Sequence, residues 1–315
     1  VTTLRDVAVF ATIRMSTSAL PPNLDPPETA SRVPPSVLLE VSYDGTDFFG
    51  FAPQKTGRSV YDALLTALQT VDETIDDVRV ASRTDARVHA RGQLVAFDPT
   101  RSLPASAWQA MTNRKLPGDV VIRAAREVER GFMPRWGTLG KKYTYVIQPS
   151  SLRDPLERNR AWTIPFSVDP ERMAVELSTM LGTHDFRAFR RAQDERIDTV
   201  RTMVRADITE EGPILRVTVE GTGFMYNMVR IIVGTVVEVG AQRRAPGAIA
   251  RAIETGNRSD LGMTAPPQGL CLERIYLPTD DDLPLAWTKV GKRTYPVRVA
   301  PENATASGPP QGSQA

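Results

Sequence analysis

The chain has 315 residues, enough for one large domain or two modest ones. Its formal net charge of +2 does not announce a polyanionic partner, and its apolar and charged fractions are those of an ordinary globular protein. Lysine is confined to positions 55, 115, 141, 142, 289 and 292, so most of the positive charge is arginine. A GC-rich genome and selection for phosphate recognition both produce that bias. The single cysteine, Cys271, excludes a disulfide within the chain, and no Cys/His cluster offers a zinc site. The expectation is an intracellular, cytoplasmic protein with no metal and no cofactor. No apolar run is long enough to cross a bilayer.

Residues 1–35 are Ser- and Pro-rich from Met15 onward and read as a disordered leader, with Met15 suspected as the true start. "VLLEVSYDG" (37–45) alternates as a strand, and "SVYDALLTALQTV" (59–71) spaces Val60, Leu64, Leu68 and Val71 as a helix. Strands follow at 78–83 and 92–98, a helix at 106–116, and strands at 119–128 and 141–148. Asp169-Pro170 caps a helix closed by Gly182. Strands at 201–209 and 214–221, an apolar helix at 224–240 and a strand at 270–277 complete the order. Residues 36–148 and 149–280 each read as strand, helix, two strands, helix, strand, and 281–315 as a largely disordered tail. The fold expected is α+β, with two ferredoxin-like halves. Each half would carry its own antiparallel or mixed sheet with helices on one face, leaving the other faces to form a central cleft.

The chemistry concentrates in "ASRTDARVHARGQL" (81–94), where Asp85 lies among Arg83, Arg87, His89 and Arg91. Positive neighbours predict an ionised aspartate with a lowered pKa, suited to act as nucleophile or base. On local composition alone the simpler reading is a surface ion pair.

The segment "SRTDARVHARGQ" resembles the signature loop of the TruA family of tRNA pseudouridine synthases, GRTDAGVHAxGQ. Other segments agree in the family's order. They are "YDGTDFFGF" (43–51), "GKKYTYVI" (140–147), Leu181 to Arg190 around "HDF", "TVRTM" (199–203), "GFMYNMVRIIVG" (223–234) and "TAPPQGLCL" (264–272). The resemblance implies isomerisation of uridine in tRNA, at positions 38 to 40 of the anticodon arm, by a cytoplasmic homodimer without cofactor. It implies Asp85 as the reactive carboxylate, Arg83 as the residue filling the space of the flipped base, and Tyr143 as its stacking partner. Arg230 lies inside an apolar helix, where a buried guanidinium needs a partner, and the resemblance implies that the partner is Asp85. His89, Arg135, Lys141 and Arg190 are candidate substrate contacts, with loop bracing the favoured role for His89. Phe186 and Phe189 read as core. The sequence departs from the family at Ser82 and Arg87, each a glycine there, at Tyr226 and Asn227, a histidine pair there, and at Phe51, a tryptophan there. The alternatives are the same reaction at another RNA position, and an RNA-binding module without turnover.

Overall fold

The structure is a computed structural model that describes residues 33–190, 198–284 and Trp287. The leader and the chain beyond Trp287 lie outside the described residues. Of the two units into which the chain divides, Val1–Val33 and Pro34–Ala315, the second holds every element below.

That unit is α+β. Its strands are β1 (Ser36–Tyr43), β2 (Arg79–Val80), β3 (His89–Phe97), β4 (Val120–Val128), β5 (Gly140–Pro149), β6 (Trp162–Ile164), β7 (Gly182–Asp185), β8 (Val200–Glu211), β9 (Ile214–Gly221) and β10 (Leu270–Tyr276). The helices are α1 (Val60–Gln69), α2 (Ala105–Asn113), α3 (Pro170–Ser178), α4 (Met228–Gly240) and α5 (Ala248–Thr255). Local chemistry sets several of the boundaries. The Ser59 hydroxyl accepts the Asp62 N–H at the start of α1, and Asp169 accepts those of Glu171 and Arg172 at the start of α3. Helix α1 buries Val60, Leu64, Ala67 and Leu68, one face at helical spacing. In α2, Trp108 packs edge-on against Phe97 of β3 with ring centroids 5.1 Å apart.

Instead of the two sheets expected, one ten-stranded sheet runs β4-β1-β3-β10-β5-β9-β8-β7, with β2 beside β3 and β6 beside β5. The halves fuse where β10 pairs in parallel with β3, through Cys271 opposite His89 and Leu272 opposite Ala90. Strand β5 hydrogen-bonds to β6, β9 and β10, all from the second half. The sequence boundary at 148 therefore follows a strand that belongs to the second half by pairing. Edge-to-edge fusion satisfies the backbone groups that two separate sheets would leave unpaired on their inner edges.

Three element readings change as well. Strand 78–83 shrinks to Arg79–Val80 because the Gln93 side chain takes over the ladder. It accepts the Ser82 N–H at 3.3 Å and donates to the Ser82 carbonyl at 2.6 Å. Helix 224–240 starts only at Met228, since Asn227 is left-handed at φ 60°. Gly182 opens β7 rather than closing α3, and α5, β6 and β7 are too short to stand out by periodicity. At the far end, Trp287 is 1 % exposed, stacks 4.9 Å from Tyr276 and donates to Glu220 at 3.2 Å. Trp287, which the sequence reading put in the tail, is itself a core residue.

Candidate active site

The loop from β2 to β3 is held rigidly from below. Ser82 and Thr84 are buried, Arg83 between them is exposed, and Asp85 is half-buried. The Tyr43 hydroxyl lies 2.7 Å from the Thr84 hydroxyl and accepts from Gln93 at 3.4 Å. The Ser82 hydroxyl lies 3.2 Å from that of Tyr143 on β5. Buried polar side chains thus fix residues 82 and 84, and the extended backbone turns Arg83 outward. Arg83 has no hydrogen bond or ion pair among the described residues.

The turn at 43–51 presses against the back of the loop. A Cβ on Gly45 would stand 2.1 Å from the Val88 carbonyl oxygen, and one on Gly50 would stand 2.9 Å from that of Thr84. Gly50 also sits at φ 100°, so both glycines of that motif are required by the approach of this loop. Arg87 donates its backbone N–H to the Phe48 carbonyl at 3.0 Å and sits at φ 65°. The left-handed conformation that glycine adopts freely is therefore retained by an arginine, at a cost of about 1 kcal/mol.

Asp85 meets Arg230 across the fold. Arg230 Nη1 donates to Asp85 Oδ2 at 3.4 Å, and both side chains are about five-sixths buried, at 16 % and 17 % exposed. Arg230 occupies the first turn of α4, where a cation opposes the helix dipole. It is held there by two other contacts: Nε donates to the Ala265 carbonyl at 2.7 Å, and Nη1 donates to Asn227 Oδ1 at 2.7 Å. The left-handed Asn227 thus starts the helix and aims the guanidinium.

Burial pushes the Asp85 carboxyl above its ordinary value, and the Arg230 charge and hydrogen bond only partly offset it. The lowered pKa expected from the surrounding arginines does not hold. Those side chains point to solvent, and the one cation in contact is at long range. Tyr143 is 6 % exposed and meets Phe224 edge-on at 5.2 Å. Its hydroxyl is pushed up to about 12 by burial, with a further contribution from the Asp85 charge and a partial offset from Ser82. Tyr145, on the same face of β5, donates to the Pro266 carbonyl at 2.7 Å and is fully core.

Arg230 on α4, Tyr143 beside Phe224 and Tyr145 bonded to the 265–266 segment draw residues of the second half of the chain around the loop.

Asp85, Arg230 and Tyr143 are thus brought together, and Arg83 stands at the rim. His89 is held by both ring nitrogens. Nδ1 lies 3.0 Å from the Gly45 nitrogen and 3.2 Å from Asp44 Oδ1, and Nε2 lies 2.7 Å from the Asn159 carbonyl and 3.1 Å from that of Gln268. It braces the loop against two distant segments. Lys141 donates to the Ala81 carbonyl at 3.3 Å, at the root of the loop. Arg135 is exposed, with its guanidinium 5.4 Å from the Trp136 ring. Arg190 caps the turn after β7, the strand at the opposite edge of the sheet from β4. Phe186 and Phe189 are fully buried, as the sequence predicts. Sequence reasoning missed Ser82 and Asn227, seeing them only as departures. The tolerance of asparagine for positive φ was the available signal for Asn227.

A family model described as tRNA pseudouridine synthase matches residues 40–133 and 177–278. The chain is 39 % identical over 244 residues to "tRNA pseudouridine synthase A" of Geobacter sp. (strain M21), covering 77 % of this chain and 99 % of that protein. It is 40 % identical over 241 residues to the protein of the same name from Geobacillus sp. (strain WCH70), covering 76 % of this chain and 97 % of the relative. Among solved structures, "Crystal Structure of a Cbf5-Nop10-Gar1 Complex" contains a chain 12 % identical at a TM-score of 0.31, covering 78 % of this chain and 59 % of that one. The chain belongs to the TruA family of tRNA pseudouridine synthases.

Proposed function

We propose that this chain isomerises uridine to pseudouridine at positions 38 to 40 of the tRNA anticodon arm, with Asp85 as the reactive carboxylate. The reaction breaks the bond from uracil N1 to the ribose C1′, turns the base and joins C5 to C1′. The proton leaves C5 and one is gained at N1, so no oxidant, reductant or outside group is consumed. The observation that carries the proposal is the buried pairing of Asp85 with Arg230, 145 residues further along the chain. A carboxylate short of hydrogen-bond donors is a better base and nucleophile than a solvated one, whether it adds to the base, attacks the sugar or takes a sugar proton.

The target base must leave its stack to reach this depth. The exposed and unpaired Arg83 would occupy the vacated space, and the Tyr143 ring would stack on the uracil. Arg135, Lys141 and Arg190 would meet backbone phosphates. The strand orders β4-β1-β3-β2 and β10-β5-β9-β8 each put the first and third strands side by side with the fourth outside, which supports two ferredoxin-like units. The cleft for RNA would open between them on the α4 side. A cytoplasmic homodimer completes the reading.

Tritium release from transcribed tRNA carrying [5-³H]uridine, followed by pseudouridine mapping, tests it. Release that maps to positions 38 to 40 is expected. Release elsewhere would assign another site, and tight binding without release would make the chain an RNA-binding module.

A further inference from the structure

We infer that Arg87 is an added phosphate-binding residue, gripping the RNA backbone next to the target uridine. The inference rests on the proposed function and adds a contact to it. Most arginines around the loop are matched to an acid. Arg58 forms a two-pronged pair with Asp119 at 2.5 and 2.8 Å, Arg91 lies 3.5 Å from Glu273, and Arg160 lies 4.0 Å from Asp44. Arg87 is exposed, and its guanidinium has no partner among the described residues. It stands two residues from Asp85 on a backbone pinned at both ends, since Arg87 N–H bonds to Phe48 and Val88 N–H to Asp85. The guanidinium is therefore presented from a fixed base at the rim of the site.

The conformation is the second observation. At φ 65° a glycine would sit without strain, and the loop would keep its course. An ordinary solvated arginine has no reason to occupy such a position, whereas strain next to reactive groups is common where a side chain is used. Phe49 is 60 % exposed and follows directly on Phe48, whose carbonyl takes the Arg87 N–H. An exposed ring and an unpaired cation carried on hydrogen-bonded stretches of backbone are the two groups that hold an unstacked strand, the charge on the backbone and the ring against a base.

The test compares full-length wild type with Arg87→Gly, Arg87→Lys and Arg123→Gly, measuring tRNA affinity by filter binding and KM by tritium release across a salt series. Arg123 is also an exposed arginine, on β4, an edge strand of the sheet. Arg87→Gly should raise Kd and KM about three- to ten-fold and flatten the plot of log Kd against log salt by roughly 0.7 to 0.9. Arg87→Lys should recover most of the slope, and Arg123→Gly should keep all of it. An Arg87→Gly protein with wild-type Kd and salt slope would overturn the inference, as would an equal loss at Arg123. Filter binding separates this failure from that of the proposed reaction, because it reads the contact whether or not tritium is released.

Discussion

Asp72, Asp98 and Asp85 are among the carboxylates partly or wholly withdrawn from water in the described residues, and the first two are treated very differently from the third. Asp72 accepts from the backbone N–H groups of Thr74, Thr100 and Arg101 and from the hydroxyls of Thr74 and Thr100. Asp98 accepts from both terminal nitrogens of Arg79, from the Ser36 hydroxyl and from the Gly131 N–H. Burial alone would raise both, but these donors hold each carboxyl below the usual range. Asp85 has one guanidinium at 3.4 Å, and burial prevails. Where a carboxylate holds loops together, the fold satisfies it fully; at the candidate reactive position it leaves the anion under-solvated. The free energy withheld there would make the proposed nucleophile reactive.

Substitutions sharpen that contrast. The largest effect belongs to Asp85→Asn, which should lower turnover by at least about 10⁴-fold while tRNA binding persists. Next is Arg230→Met, with a loss of about 10² to 10³-fold in kcat/KM. Removing the cation that pulls Asp85 down leaves burial unopposed, so the acid limb of the pH–rate profile should move to higher pH. Arg230→Lys keeps the charge and should leave that limb nearer its wild-type place.

Asp72→Asn reads the other side of the comparison, and denaturant unfolding should show a loss of about 3 kcal/mol. The folded pKa of Asp72 is depressed, so its contribution is complete above the unfolded value of about 3.9 and fades as pH falls through the folded one. The Asn variant should therefore lose less stability in acid than wild type does.

The smallest effect has the opposite sign. The folded pKa of Asp85 is raised, so its charge costs stability at neutral pH, and that cost disappears as pH falls through the folded pKa. Asp85→Asn should gain roughly 1 kcal/mol in the same assay. A loss of stability comparable to that of Asp72→Asn would erase the distinction between the two sites.

Much of this site was legible in the sequence, because it is written in local motifs. Asp85 in its loop, Arg230 in an apolar helix and Tyr143 on an alternating strand were identifiable through the family's motifs; the need of a buried guanidinium for a partner was legible by itself, and the resemblance named Asp85 as that partner. The direction of the Asp85 pKa was not legible. Counting nearby arginines predicts a lowered value, but whether those side chains face the carboxylate or solvent depends on the Ser82 and Thr84 anchors beneath the loop. The fusion of the sheets was equally hidden, since it rests on two residue pairs of β10 and β3 that are far apart in the chain. Ser82 and Asn227 looked like losses from a pattern. In the fold, one meets the Tyr143 hydroxyl and the other aims Arg230.

Carbon-13 NMR titration of the aspartate carboxyl groups tests the contrast most directly, with the Asp85 resonance assigned by its absence from Asp85→Asn. Asp85 should titrate above the value of about 3.9 for a free aspartate, with Asp72 and Asp98 below it. An Asp85 signal at or below that value would contradict the claim that its anion is held short of solvation.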